Sequence, residues 1–341
     1  MDDKEREVYW ETLCSLDGNN LIKDADHLNK VIKYPSHIYR YRPLNLRTIE
    51  AFSKNKLYFS TANYYDDPFD TFININLSEI DRLFDNSELF CGENIKNMIK
   101  VFSREFLNCD IDENVLQMII TNLMIRANDT VFKHNIQNYI RNIRNEVKKE
   151  IYSACFSEEK YNENLWLKYA DQYRGFVIEY DLSRNENYVC GKKDKCNKCL
   201  IKTTSLLLYP IYYAKTKYDA SKLGQFLAIC NMIQDTLTDE KINRLISMMG
   251  TELQWEKTKI ATIKKECHKY DREWRMILPI ISNQPVAIEW IPSAIYLGLR
   301  MEKSEMELLM NIAKIAGVEK VYRCYINDNG EIDSKLLKTT N

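Results

Sequence analysis

The chain has 341 residues, which is long enough to bury a sizeable hydrophobic core in one large domain or in two ordinary ones. Apolar residues make up 45% and charged residues 28% of it, proportions that exclude a disordered or fibrous chain. The formal net charge of −1 excludes a general electrostatic attraction to nucleic acid or to an anionic membrane, so any basic surface must be local.

Targeting and phosphate-binding motifs are absent from the sequence. Only nine glycines occur, and neither G-x-G-x-x-G nor G-x-x-x-x-G-K-S/T is present, so a nucleotide would need another kind of site. The charged start (MDDKEREVYWETL) lacks a signal-peptide pattern, and no segment approaches the length of about 18 apolar residues that a membrane span requires. We therefore expect a soluble cytoplasmic protein without a membrane partner.

The first elements predict a small strand-helix-strand unit. Residues 1–35 read as an N-terminal helical extension. The segments SHIYRYR (36–42) and KLYFS (56–60) are rich in β-forming residues, and the apolar pattern of residues 44–54 between them predicts a helix. The unit ends in the sequence YYDDPFD (64–70), whose proline and aspartates are typical of a turn.

Two helical blocks and further strands follow. Apolar residues recur with a helical period over about residues 79–150 and 221–265, which predicts two helical insertions. Residues 151–157 and 175–181 predict strands, and the polar segment 183–202, which carries three cysteines, predicts an inserted loop.

The end of the chain predicts a sheet edge. EWRMILPII and VAIEW predict an antiparallel strand pair, and the segments SAIYLG, KSEMELLMNIAKIAG and EKVYRCYI predict strand, helix and strand. Short strands interrupted by helical blocks indicate an α+β fold with a mixed, mainly antiparallel sheet. We expect residues 36–341 to form one catalytic-type domain.

The first candidate site lies at the end of the first predicted strand. Alternation places Arg40 and Arg42 on one face of this strand and Tyr39 and Tyr41 on the other. A guanidinium beside an aromatic ring suits a phosphate or a nucleotide, because it binds oxyanions in bidentate fashion while the ring stacks on a base. The alternative is an arginine that pairs with an aspartate of the turn and only stabilises it.

The second candidate is the segment DREWR, in which Glu273 opens a strand. A carboxylate on a rigid strand suits electrostatic or general-base catalysis. Glu273 and Arg275 share one face of the strand, so the alternative is an ion pair within that strand. Both residues are candidates for a catalytic role.

Two further groups have weaker patterns. Trp166 and Tyr169 lie three residues apart on a short predicted helix, a spacing typical of packing on a sheet and also compatible with ligand binding. Glu179 and the turn aspartates are compatible with a divalent-metal site of nuclease type. These aspartates are Asp66, Asp67 and Asp70.

Three cysteines form the candidate metal site. Cys190, Cys196 and Cys199 lie in a polar, basic segment, where buried structural cysteines are not expected. Thiolates in such spacing favour zinc, with Cys267 or His268 as a distant fourth ligand. The alternative is a loop of free thiols.

The order of several short motifs resembles the bacterial domain-of-unknown-function family 2971. These motifs are YR (41–42), KLYFS, DDPFD, ACFSEE, LWLKYAD, GFVIEYD, DREWRMI and IYLGLRM. This family is found near phage-defence and toxin genes. The resemblance covers residues 38 to about 301. It implies a role in a bacterial toxin or anti-phage system.

The same plan is similar to that of ADP-ribosyltransferases, which bind NAD without a glycine motif. The resemblance implies that Arg42 binds the NAD phosphates and that Ser60, or alternatively Ser157, supports the ribose-binding strand. It also implies that Glu273 stabilises the oxocarbenium-like ribose. Where these enzymes often carry a second Glu or Gln, this chain has Asp271. The other candidate NAD-binding residues are Tyr41 and Tyr169, which could stack on nicotinamide, and Asp67, Asp70 and Trp166.

The sequence thus predicts an NAD-consuming enzyme of ADP-ribosyltransferase type, which transfers ADP-ribose to a macromolecular acceptor, protein or nucleic acid, or hydrolyses NAD. One alternative is a metal-dependent nuclease that uses the turn aspartates. The other is a non-catalytic sensor of a nucleotide or a partner protein. A homodimer or a regulatory partner protein is compatible with the apolar faces of the helical blocks.

Overall fold

The structure is a computed structural model. It describes residues 1–16, 20–78, 96, 99, 100, 111–127, 130–182, 207–221, 223, 224, 255–278, 284–318 and 320–339. The predicted cysteine-rich loop and parts of both predicted helical insertions lie outside these residues.

The described chain contains both helices and strands in a mixed order. The helices are α1 (Asp3–Ser15), α2 (Leu21–Val31), α3 (Leu46–Ser53), α4 (Glu113–Ala127), α5 (Thr130–Glu150), α6 (Glu163–Tyr169) and α7 (Lys303–Ile315). The strands are β1 (His37–Arg42), β2 (Lys56–Thr61), β3 (Tyr152–Ser157), β4 (Phe176–Asp181), β5 (Leu208–Pro210), β6 (Tyr212–Ala214), β7 (Ile263–Lys265), β8 (Glu273–Leu278), β9 (Val286–Glu289), β10 (Ala294–Leu297), β11 (Lys320–Ile326) and β12 (Ile332–Thr339). Short 3₁₀ helices span Ala62–Tyr64 and Glu266–Asp271.

Most of these strands form one mixed, mainly antiparallel sheet, and the α+β prediction is confirmed. Its order is β12-β11-β10-β4-β1-β3-β2-β9, and β8 pairs along β3 and carries β5 on its other edge. The strands β10 and β11 are parallel and are joined by α7, whereas β6 and β7 form a separate parallel pair. None of the described helices is long and apolar enough to cross a membrane.

The sheet opens between β1 and β2. Both strands pair with the same edge of β3, but β1 does so only at Tyr39–Ser157, whereas β2 does so near Ser60–Ser153. On its other edge β1 pairs with β4 over its whole length, and residues 56–59 of β2 pair with β9. Residues 40–42 and 56–59 therefore flank a gap, which we call the strand opening.

Hydrophobic packing covers both faces of the sheet. The larger cluster includes Ile38, Phe156 and Trp274 and extends to Tyr9 and Leu13 of α1. A smaller cluster on the other face includes Tyr41, Trp166, Val177 and Tyr296. The N-terminal segment joins the larger core, because Arg6 of α1 is buried and donates to the carbonyl of Ile211 at 2.6 Å.

Several local predictions can be compared with the strands and helices. The predicted unit of β1, α3 and β2 is confirmed, and so are β10, α7 and β11. The predicted antiparallel pairing of β8 with β9 is wrong, because β3 and β5 occupy both edges of β8 and β9 pairs with β2. Residues 263–265 form β7 and not the end of a helical block, because they pair with β6. The strand β12 was not predicted.

Candidate functional site

A polar cleft of about 300 Å³ lies on the face of the sheet that carries Tyr39, Ser157 and Glu273. These three residues occupy adjacent strands in direct register, so their side chains point to one side. The YYDDPFD turn, α6, β7 and the 3₁₀ helix Glu266–Asp271 close the cleft. Elements from distant parts of the chain thus build its walls.

Four buried charges form the base of the cleft, and we call them the buried tetrad. Arg275 binds Asp70 through Nη1–Oδ1 at 2.9 Å and Nη2–Oδ2 at 2.6 Å, and its Nε donates to Oε1 of Glu273 at 2.7 Å. Lys264 lies 2.5 Å from Oε2 of Glu273 and 3.2 Å from Oδ2 of Asp70. Two cations balance two carboxylates, so the tetrad as a whole is neutral.

The tetrad determines the charge states of its members. Burial alone would raise the pKa of Glu273, but Arg275 and Lys264 outweigh burial and hold this pKa below its ordinary value. The same balance lowers the pKa of Asp70. Burial opposes the charge of Lys264, yet Glu273 and Asp70 raise its pKa. All four groups are therefore ionised at neutral pH.

Asp271 supplies a different kind of carboxylate to the cleft. Burial raises its pKa, and Lys264 offsets this effect only in part. Among the described residues its carboxylate has no arginine or lysine within ion-pair distance, and Nδ1 of His268 lies 3.9 Å away. Its backbone carbonyl accepts a hydrogen bond from Ser157 at 2.8 Å, which holds the 3₁₀ helix against β3. Asp271 is thus the cleft carboxylate that is best suited to exchange a proton.

Arg40 and Arg42 reach the cleft from the opposite face of β1, beside the strand opening. Arg40 donates to the carbonyl of Tyr58 at 3.2 Å, and its guanidinium lies 5.8 Å from the ring centre of Phe156. Within the part of the chain that the structure describes, Arg42 has no carboxylate partner. Burial lowers the pKa of both groups, but guanidinium groups stay protonated at neutral pH. Their positive charge is available to an anionic ligand.

Of the predicted aromatic residues, Tyr41 and Tyr169 line the cleft and Trp166 does not. Tyr41 is buried, donates to the carbonyl of Glu159 at 2.6 Å and packs edge-to-face on Trp166. Trp166 is fully buried, donates from its indole to the carbonyl of Lys160 at 3.0 Å and lies outside the cleft lining. Tyr169 lines the cleft and is 36% exposed. The geometry therefore offers Tyr169, and not Trp166, to a ligand.

The polar residues that were predicted to bind NAD all line the cleft. Ser60 is exposed at the end of β2. Asp67 accepts a hydrogen bond from the backbone N–H of Phe69 at 2.8 Å and lies 3.5 Å from Nε2 of His268. The aspartate–arginine pairing considered for the turn does occur, but it joins Asp70 to Arg275 and not to Arg40 or Arg42. The ion pair within β8, which was the alternative for Glu273, is also present.

The candidate metal ligands are not brought together in the described residues. Glu179 accepts hydrogen bonds from Ser293 at 2.8 Å and Tyr296 at 2.6 Å, away from the turn aspartates and outside the cleft lining. Across the described ranges, no group of three or more His, Cys, Asp or Glu side chains is placed to hold a metal ion. Cys190, Cys196 and Cys199 lie outside the described residues.

Sequence reasoning missed Lys264, Lys168 and His268 as cleft residues. Lys264 was assigned to a predicted helix, because the surrounding apolar spacing fits a helical period as well as a strand. The only local signal was its position in a pair of lysines between Ile263 and Glu266, which is typical of many surface segments. Its contact with Glu273 depends on the pairing of β7 with β6.

Comparison of the chain with protein-family models, with curated proteins and with solved structures found no match. The fold and the cleft therefore define the protein only as an α+β protein with a charged, enclosed cleft. This cleft is lined by Arg42, Ser60 and Glu273. Arg42 and Glu273 are 231 residues apart in the chain.

Proposed function

We propose that the protein is an NAD-consuming enzyme of ADP-ribosyltransferase type, which transfers ADP-ribose to a macromolecule or to water. The observation that carries the proposal is the composition of one cleft, which is lined both by arginines without a carboxylate partner in the described residues and by Asp271 and Glu273. Such a cleft suits a ligand with anionic phosphates and a sugar that becomes cationic during the reaction. The setting in a toxin or anti-phage system rests on the sequence resemblance.

Each side of the cleft has a separate task in this proposal. Arg40 and Arg42 bind the pyrophosphate. Both oxygens of Glu273 already accept one hydrogen bond, and each retains a second lone pair that a ribose hydroxyl can use. Tyr169 provides an aromatic surface for the nicotinamide ring.

The chemistry requires a negative charge near the ribose. The bond between ribose C1′ and the nicotinamide nitrogen breaks, and both electrons leave with nicotinamide, which becomes neutral. The oxygen of water or of the acceptor forms the new bond to C1′, and its proton passes to Asp271. Because Lys264 and Arg275 neutralise much of the charge of Glu273, the uncompensated negative charge comes from Asp271, together with Asp66 and Asp67 of the turn.

The test is the release of nicotinamide from NAD by the purified full chain, measured by chromatography with and without candidate acceptors. We expect Asp271→Asn and Glu273→Gln each to lower kcat by about 100-fold, the scale of losing a general base or a transition-state contact. Glu266→Gln is the matched control, because Glu266 is exposed and lies outside the cleft lining.

The alternatives give different results in the same experiment. A nucleotide sensor without turnover would bind NAD and show no nicotinamide release. If nicotinamide is not released with any acceptor and NAD does not stabilise the protein thermally, both the enzyme hypothesis and the nucleotide-sensor hypothesis are wrong. Circular dichroism of each variant separates loss of activity from loss of fold.

A further inference from the structure

A second cavity, of about 560 Å³, lies on the opposite face of the sheet. It occupies the strand opening and is lined by residues of β1, α3, β2 and β4. Ile178, which lines this cavity, pairs with Arg40 in register, so the two side chains share this face. Arg40 and Arg42 line both the cleft and this second cavity.

The second cavity carries an excess of positive charge. Its cationic residues are Arg40, Arg42, Arg47 and Lys56. The carboxylate that lines it belongs to Glu50, which binds Lys54 at 2.7 Å. Within the described parts of the chain, none of these four cations lies within ion-pair distance of a carboxylate, although Glu289 is the cross-strand partner of Lys56 and Lys56 helps to lower the pKa of Glu50. An anion is therefore the complementary ligand.

The opposite wall of the cavity is apolar and aromatic. Phe52, Ile178 and Trp290 are buried, and Tyr58 is 38% exposed. The volume lies within the range of roughly 300–1,000 Å³ that small-molecule sites occupy. Cationic groups beside an aromatic wall suit a ligand that joins a phosphate to a flat ring.

We propose that the second cavity binds a nucleoside 5′-monophosphate group. Arg42, Arg47 and Lys56 neutralise the phosphate, and the base lies against the aromatic wall. The assignment rests on the proposed function in one respect: with NAD as substrate, this group is its adenosine monophosphate half. The pyrophosphate then lies at Arg40 and Arg42, which are shared by both cavities, and the nicotinamide half occupies the cleft.

The experiment is calorimetric titration of the full chain with adenosine monophosphate, adenosine and inorganic phosphate. We expect the monophosphate to bind more tightly than either part alone, and Arg47→Ala and Lys56→Ala each to weaken it about tenfold through loss of a charge-assisted contact. Lys30→Ala is the matched control, because Lys30 is exposed and lies outside the linings of both cavities. Tyr169→Ala removes a residue that lines only the cleft and should leave binding unchanged.

The outcomes separate this proposal from the proposed function. If the wild type binds adenosine monophosphate, Arg47→Ala loses this binding and the wild type releases no nicotinamide, the proposal for the second cavity is supported. The proposed NAD chemistry is then overturned. If the protein releases nicotinamide but Arg47→Ala and Lys56→Ala leave its KM for NAD unchanged, the proposal for the second cavity is overturned. The proposed enzyme activity then stands. The proposal for the second cavity is also overturned if the wild type does not bind the monophosphate, or if the wild type and both variants bind it equally.

Discussion

Arg275 holds Asp70 in a two-point ion pair, with nitrogen–oxygen distances of 2.9 and 2.6 Å, although 205 residues separate them in the chain. Both side chains are almost completely buried. This pair attaches the YYDDPFD turn to β8 and thereby closes one side of the cleft. The turn aspartate that the sequence offers to a ligand is therefore a structural group.

Removal of the guanidinium should destabilise the protein strongly. Arg275→Met leaves Asp70 and Glu273 buried with Lys264 as their one remaining cation in the tetrad, so we expect a loss of about 3–5 kcal/mol in the free energy of unfolding. Urea denaturation measures this loss. The control Arg174→Met changes an exposed arginine and should stay within about 0.5 kcal/mol of the wild type. A loss below about 1 kcal/mol for Arg275→Met would contradict the role of the tetrad.

Acid should unfold the protein through the same carboxylates. The pKa values of folded Asp70 and Glu273 lie below their ordinary values of 3.8 and 4.5, so the unfolded chain binds protons more tightly. Their stabilisation is fully present above pH 4.5 and is lost as the pH falls through the lowered values. The free energy of unfolding, measured by urea denaturation in steps of pH, should fall steeply below pH 4.5.

A variant identifies the groups responsible for this acid sensitivity. Asp70→Asn should have a lower stability at pH 7 and a shallower fall below pH 4.5, because one of the shifted carboxyl groups is gone. Asp328→Asn, which changes an exposed aspartate, should retain the wild-type slope. An unchanged slope in Asp70→Asn would rule out the tetrad as the cause.

The hydroxyl of Tyr41 should stabilise the structure and make no contact with the ligand. In Tyr41→Phe the carbonyl of Glu159 and the backbone N–H of Asn162 each lose a hydrogen bond. We expect the free energy of unfolding to fall by about 1–3 kcal/mol and the KM for NAD to stay unchanged. A raised KM at wild-type stability would instead place the hydroxyl of Tyr41 against the ligand.

Asp271 should control the acidic limb of the proposed reaction. Burial raises its pKa, so the carboxylate becomes protonated, and inactive as a base, at a higher pH than an exposed aspartate would. The rate of nicotinamide release should fall as the pH drops through this raised pKa. Asp271→Asn should remove that limb and lower the plateau, and persistence of the limb would assign it to another group.

A glycine supports the end of β1. A Cβ atom at Gly175 would collide with the backbone carbonyls of Arg42 and Ala170. Gly175→Ala should therefore displace Arg42, destabilise the protein by about 1–3 kcal/mol and weaken binding of adenosine monophosphate. Thermal denaturation and calorimetric titration test the two effects. Gly330→Ala has open space around its added Cβ and serves as the comparison for binding.

Local pattern was sufficient for much of the secondary structure. The alternation in residues 36–42 and 56–60 predicted β1 and β2, and Gly317, with φ of +72°, ends the segment after α7 as expected. The sequence pattern did not predict the secondary structure of segments whose conformation depends on pairing with a distant strand. A short segment such as residues 263–265 (IKK) fits either the end of a helix or a strand, and its pairing with β6 determined the outcome.

The sequence by itself determined the fold class, the position of most strands and the residue types that a phosphate ligand would need, because these follow from short-range periodicity and side-chain chemistry. Only the tertiary structure decided which charges neutralise each other. Asp70 and Arg275 became a buried pair, whereas Arg42 was left facing two cavities. Coulomb interactions between side chains depend on distance and burial, and both are created when distant strands meet in the sheet.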